Sequence, residues 1–183
     1  MKNIIAIITG PSAVGKTTIA KEVLRRLPHF KSTVTYTTRD KRDWSKEDKV
    51  INYVSPKKFK ELIVDNQFIE WAKVYGNFYG TGKRELLDAL KHHSVLLNID
   101  VQGTKNIKEQ FPDTVTLFIK PANFSELKDR ITARPMPVKT KKTRLAIAKT
   151  ELAQADDFDY QIINKNGKLT DSVTEIIKIL KKY

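Results

Sequence analysis

The residues whose spacing most clearly implies chemistry lie near the start of the chain. Gly10-Pro11-Ser12-Ala13-Val14-Gly15-Lys16-Thr17 fit the pattern G-x-x-x-x-G-K-[ST]. Two glycines in such a loop let the backbone take strained angles and come close to a ligand. Successive N–H groups then point inward and grip anionic oxygens. A helix opening at Thr17 and Thr18 turns its positive end toward the same anion. This chemistry suits the phosphates of ATP or a close relative. Lys16 would neutralise charge between the β- and γ-phosphates, and Thr17 would offer its hydroxyl to Mg²⁺. An ordinary glycine turn is the competing reading. The context opposes it, because a buried strand precedes the loop and a helix follows it.

The surrounding elements must hold that loop in place. Asn3 to Thr9 is rich in isoleucine and reads as a buried strand. Thr17 to Leu27 reads as a helix stopped by Pro28. Further strands are expected at Ser94 to Ile99, Thr114 to Ile119 and Gln161 to Asn164. Helices are expected at Val101 to Phe111, Asn123 to Ala133, Thr143 to Ala155 and Thr170 to Lys182, with Asn123 as an N-cap. Strands alternating with helices argue for an α/β fold, a parallel sheet covered on both faces.

Two segments interrupt the alternation. Ser32 to Tyr79 is strand-rich, with strand-like pieces at Thr33 to Thr37, Val50 to Val54 and Phe68 to Val74 and a helix at Pro56 to Asn66. Arg134 to Lys142 carries two prolines among basic residues and reads as a mobile loop.

The bulk composition narrows the class. The chain has 183 residues, enough for one domain with its own core. It contains no cysteine, which excludes disulfides and thiolate metal sites and makes a cytoplasmic location the simplest expectation. No stretch approaches the ~20 apolar residues of a membrane span, and no targeting signal is evident. Lys and Arg outnumber Asp and Glu by 34 to 21, a net charge of +13. That excess suits an anionic partner, although a generally basic surface explains it as well. His29, His92 and His93 lack metal or triad spacing and read as surface residues. Trp71, Phe68 and Phe78 read as core.

Beyond the phosphate loop, the chain resembles the guanylate kinase family over nearly its whole length. The resemblance rests on GPSAVGKTT at 10–18, TVTYTTRDKR at 33–42, FIEWAKVYGNFYGT at 68–81, NIDVQG at 98–103 and RLAIAKTELAQADDFDYQIIN at 144–164. It implies a three-layer P-loop kinase fold in a single domain, 1–183. The core would comprise 1–31, 83–129 and 145–183, the acceptor-binding lobe 32–82, and a basic lid 130–144. The implied reaction moves the γ-phosphoryl of ATP to GMP or dGMP with Mg²⁺. No membrane or nucleic-acid partner is implied, and the state would be monomer or homodimer.

The resemblance also implies residue roles. Arg39, Arg42 and Tyr79 would bind the acceptor phosphate; arginine's planar fork matches phosphate oxygens. Glu70 and Asp100 would read the guanine, whose N1–H and amine are donors suited to carboxylates. Thr35 and Thr81 would supply hydroxyls to the base edge. Arg134 and Arg144 would serve the donor phosphates and the moving phosphoryl group, with Lys16 and Arg39 completing the catalytic set. Asn164 matches a position near the ATP base. Strand alternation should put Glu70 on the face opposite Ile69 and Trp71. The bland readings are surface arginines, an exposed strand face at Glu70 and helix capping by Asp100.

The chain departs from the family pattern at several places. Asp43-Trp44-Ser45-Lys46-Glu47 replaces a Gly-Glu-containing loop, Ile51 stands where a phosphate-binding tyrosine is usual, and Asn98 stands for an acid. Asn164-Lys165 replaces an Asn-Asp pair. Two other readings therefore stand beside the first: a kinase of the same fold with another small phosphorylated acceptor, and a non-catalytic binding module.

Overall fold

The computed structural model describes residues 2–41 and 51–183. Arg42, the 43–49 segment and the first residue of the strand expected from Val50 lie outside them.

Strand β1 (Ile5–Thr9) is buried at every position and forms the middle of a five-stranded sheet. Its partners on either side are β7 (Ser94–Asn98) and β8 (Val115–Lys120), both parallel. β2 (Phe30–Lys31) and β9 (Tyr160–Ile163) add the edges, also parallel, giving the order β2-β7-β1-β8-β9. A strand covered on both faces needs apolar side chains on both, which is what the isoleucine run supplies. Ala6 and Ile8 pack with α1 (Lys16–Arg26), α5 (Phe124–Thr132) and α7 (Leu169–Leu180). Ile5 and Ile7 pack instead with Leu86 of α3 (Lys83–Leu90) and Ile107 of α4 (Val101–Gln110). The result is three layers, helix–sheet–helix. Both β1 and β7 end at one edge of the sheet, the carboxyl edge, where ligands of open α/β folds bind.

A second sheet has four strands in the order β4-β3-β6-β5. It contains β3 (Thr35–Thr37), β4 (Ile51–Tyr53), β5 (Phe68–Val74) and β6 (Asn77–Gly82), with α2 (Pro56–Val64) packed on it through Phe59. α2 begins as its sequence requires: Ser55 caps the Lys58 amide, with Pro56 following.

Several expectations need correction. β2, β6 and α3 are additional elements. β6 reads NFYGTG, interrupted by two glycines, but it lies between β3 and β5 and is held by both ladders. The stretch expected as a loop from 134 to 142 is shorter. Helix α6 (Val138–Leu152) begins five residues before Thr143, launched by Pro137 in an extended conformation. Trp71 is not core; it is 42% exposed. The reason is a bulge in β5, where the register shifts between Phe68 and Glu70. Ile69 is the extra residue, and it packs into the core beside Ile5 and Leu97. From there the alternation resumes with Glu70 and Ala72 buried and Trp71 and Lys73 outward.

Candidate functional site

Phosphate-loop geometry follows from three left-handed residues, Gly10 (φ 130°), Ala13 (φ 68°) and Gly15 (φ 106°). Gly15 is the N-cap of α1, and a Cβ there would meet the Asn164 amide. α1 has no side-chain cap and no acid in its first turn, so its free amides remain available to an anion.

Inward amides require outward carbonyls, and those need donors. The Val14 carbonyl receives Asn164 Nδ2 at 2.7 Å and an Arg130 guanidinium nitrogen at 3.1 Å. Arg130 also donates to the Asn164 carbonyl and to Asn166 Oδ1. Arg130 therefore clasps the loop from behind rather than joining the cleft cations. Asn164 is buried, with its amide committed to the same task. Asn164→Ala should raise the KM for ATP about 3- to 10-fold and leave the acceptor KM nearly unchanged, since one buried hydrogen bond is worth roughly 1 kcal/mol. Steady-state titration of each substrate measures this; equal changes in both KM values would discard the clasp.

The loop forms one wall of a cleft of about 280 Å³. Residues 10–18, apart from Pro11 and Val14, line it. The Lys16 ammonium donates to the Gly10 carbonyl at 2.6 Å and to the Pro11 carbonyl at 3.0 Å. Burial lowers its pKa to about 8, opposed by Glu151 and Asp100 and reinforced by Arg134 and Arg144. Thr17 accepts a hydrogen bond from Asn98 Nδ2 at 3.2 Å.

Opposite stands the second sheet. The ladders put Thr35, Thr81 and Glu70 in one row across β3, β6 and β5. The Thr81 hydroxyl donates to Glu70 Oε1 at 2.6 Å. Burial raises the Glu70 carboxyl to about 7, against the lowering effect of the Thr81 hydrogen bond. Tyr79 and Thr35 line the cleft, while Thr81 stands behind Glu70. Asp100 caps α4 through Oδ1, which accepts from the amides of Gln102 and Gly103. Capping and cleft are compatible, because Oδ2 is left over and Asp100 also lines the cleft.

The lid residues divide. Arg134 and Arg144 line the cleft. Lys139, Lys141 and Lys142 lie in the first turns of α6, the positive end of its dipole, where an anion is the favourable counter-charge. Arg39 is not among the cleft residues. One of its nitrogens donates to the Tyr53 hydroxyl at 3.1 Å, and another to the Asp40 carbonyl. Tyr53 follows Ile51 by two residues on β4, hence on the same face, so a phenol stands beside Arg39 although position 51 has none. The three histidines are exposed.

The sequence reading missed Tyr53, Tyr75 and Glu151. Glu151 is buried at the cleft, with Oε2 unpartnered. Burial raises it to about 7, with Lys16 pulling the other way. One signal was available: Arg144, Ala148 and Glu151 follow the i, i+4, i+7 spacing of a single helix face. Among the described residues no cluster of three His, Cys, Asp or Glu side chains could hold a metal ion, and no helix is long and apolar enough to cross a membrane.

Comparison with known proteins agrees with this geometry. A family model described as guanylate kinase matches residues 2–183. A guanylate kinase of Prochlorococcus marinus (strain MIT 9312) is 36% identical over 176 residues, covering 95% of each chain. One from Thermotoga maritima is 35% identical over 183 residues, covering 99% of this chain and 87% of its own. The crystal structure of guanylate kinase from Anaplasma phagocytophilum superposes with a TM-score of 0.79 at 30% identity, covering 98% of this chain and 85% of that one.

Proposed function

The chain belongs to the guanylate kinase family, and we propose that its cleft transfers the γ-phosphoryl of ATP to GMP or dGMP, giving ADP and GDP or dGDP. One observation carries the reading: a phosphate loop and a carboxylate–hydroxyl row suited to guanine face each other across one cleft. In this reading the loop amides and Lys16 hold the donor phosphates. Thr35, Glu70 and Asp100 take the base, with the Thr81 hydroxyl holding Glu70 from behind, and Arg39, with Tyr53 beside it, Arg42 and Tyr79 take the acceptor phosphate. An acceptor oxygen attacks the γ-phosphorus in line, and Arg134 and Arg144 stabilise the charge that spreads over the moving group. No side chain needs to act as nucleophile.

Mg²⁺ fits the donor set. Thr17 offers a hydroxyl at the first turn of α1 next to the Asn98 amide, and a magnesium ion takes its remaining ligands from phosphates and water. Held there, it would supply charge neutralisation to the donor phosphates. Asn98 gives weaker outer support than a carboxylate. The smaller sheet corresponds to the acceptor lobe, 32–82, and residues 130–144 to the lid. The lack of cysteine suits a reducing, cytoplasmic setting.

A coupled assay with MgATP and GMP, dGMP, AMP, UMP or CMP tests the proposal. Turnover confined to the guanine nucleotides is expected. ATP binding without turnover of any of them would favour another acceptor. No nucleotide binding would leave a non-catalytic module.

A further inference from the structure

The turn between β5 and β6 breaks a local rule. Val74 pairs with Asn77, so the loop is the dipeptide Tyr75-Gly76. Both residues have positive φ, 51° and 86°. A two-residue hairpin of this shape favours Asn-Gly or Asp-Gly, whose short side chains tolerate the left-handed region. Tyrosine is a strained choice there, and such strain persists where surrounding contacts hold it.

Those contacts lie in the cleft. The Arg144 guanidinium carbon sits 4.4 Å from the Tyr75 ring centroid. A nitrogen of the same guanidinium donates to Ser12 Oγ at 2.8 Å. Arg144 Nε is buried and has no acceptor. The phenol is partly buried near Ser12 and Glu151, and burial raises its pKa well above the ordinary range. One stack thus joins the hairpin of the smaller sheet, helix α6 and the phosphate loop.

We propose that Tyr75 is a positioning residue for Arg144. Its ring holds the guanidinium by one face, so that one nitrogen rests on Ser12 while the group lines the cleft that receives the transferring phosphoryl. The physical basis is the attraction of a cation to an aromatic face and the rigidity of a planar fork once stacked. A group aimed before the substrate arrives loses less freedom in the transition state. The proposal rests on the kinase reading, in which Arg144 touches the phosphoryl group; Tyr75 acts only through it.

Kinetics with MgATP and GMP, together with thermal unfolding, test the proposal in Tyr75→Phe, Tyr75→Asn, Arg144→Lys and the Tyr75→Asn/Arg144→Lys pair. Phenylalanine keeps the ring, so kcat should stay within about twofold of the parent. Asparagine suits the turn, so the melting temperature should hold or rise while kcat falls about tenfold and the GMP KM changes little. In the Arg144→Lys background the same Tyr75→Asn change should cost much less than tenfold, because the planar partner is gone. Parental kcat in Tyr75→Asn, equal losses in the Phe and Asn variants, or multiplying losses in the pair would each overturn the role. So would a melting temperature that falls with kcat in Tyr75→Asn, which would mark the ring as packing alone. If Arg144→Lys itself keeps parental kcat, the role assigned to Arg144 fails, and this proposal with it. If Arg144→Lys is impaired and Tyr75→Asn is not, only the positioning role fails.

Discussion

Lys16→Ala should lower kcat by about 10³-fold while the protein keeps its fold. The magnitude is that of removing one preorganised group from a site where charge develops during reaction. Lys16 is such a group. Its ammonium is held over the loop by the Gly10 and Pro11 carbonyls, at 2.6 and 3.0 Å, before any phosphate is engaged. The surroundings keep it from being neutralised outright by burial, because Glu151 and Asp100 supply opposing charge. Arg134 and Arg144 cannot replace it, since one is carried on the segment after α5 and the other on α6, while Lys16 belongs to the loop itself. Lys16 is also no part of the apolar core that holds α1 to the sheet; Ile19, Ala20 and Val23 do that. Far-UV circular dichroism and the melting temperature should therefore stay close to the parent. A folded variant with near-normal turnover would falsify the electrostatic role.

Glu70→Gln should produce two effects of opposite sign. The kcat/KM for GMP should fall about 10²-fold, with the ATP KM changed less than threefold. A charged acceptor facing guanine's N1–H and amine is replaced by a group that presents a donor in one of the two places, and hydrogen bonds to charged groups are worth roughly 1.5–3 kcal/mol each. Stability should move the other way. The Glu70 carboxyl titrates near 7 in the fold and at 4.5 as the unperturbed group, because burial disfavours the anion. The folded state thus binds more protons than the unfolded chain between those values. Its stability declines as pH rises from about 4.5 through 7, and at pH 8 the full penalty of the buried charge is present. Glutamine carries no such penalty. The variant measured at pH 8 without nucleotide should be more stable by on the order of 2–3 kcal/mol, a rise of about 5 °C or more in melting temperature.

The same titration gives a pH signature in the parent. Guanine needs the carboxylate, so the GMP KM should rise by up to tenfold per unit as pH falls below about 7. In Glu70→Gln this slope should be lost. Should the variant melt lower and lose both substrates equally, Glu70 is a structural residue and the guanine row is misread.

Sequence by itself determined the phosphate loop and the order of the main elements. The loop needs eight consecutive residues, a strand before it and a helix after it, and each of these writes its own local pattern: two glycines, an isoleucine run and a helical period. The family resemblance likewise named Thr35, Glu70, Tyr79, Asp100, Arg134 and Arg144, which the fold brings to one cleft. Other features depended on contacts between distant parts of the chain. β6 is a strand because two neighbours bond it, despite its glycines. Glu70 faces the cleft because a bulge sends Ile69 into the core, which simple alternation does not foretell. Tyr75 and Tyr53 carry no local signature, and Glu151 only the helix-face spacing it shares with Arg144. Arg144 reaches Ser12 across 132 residues of chain, and Tyr75 gains its meaning only from the guanidinium laid on it. Propensity and periodicity act over a few residues, while a site of this kind is assembled by sheet pairing and helix packing over the whole chain; that is why its loop was legible beforehand and its supporting side chains were not.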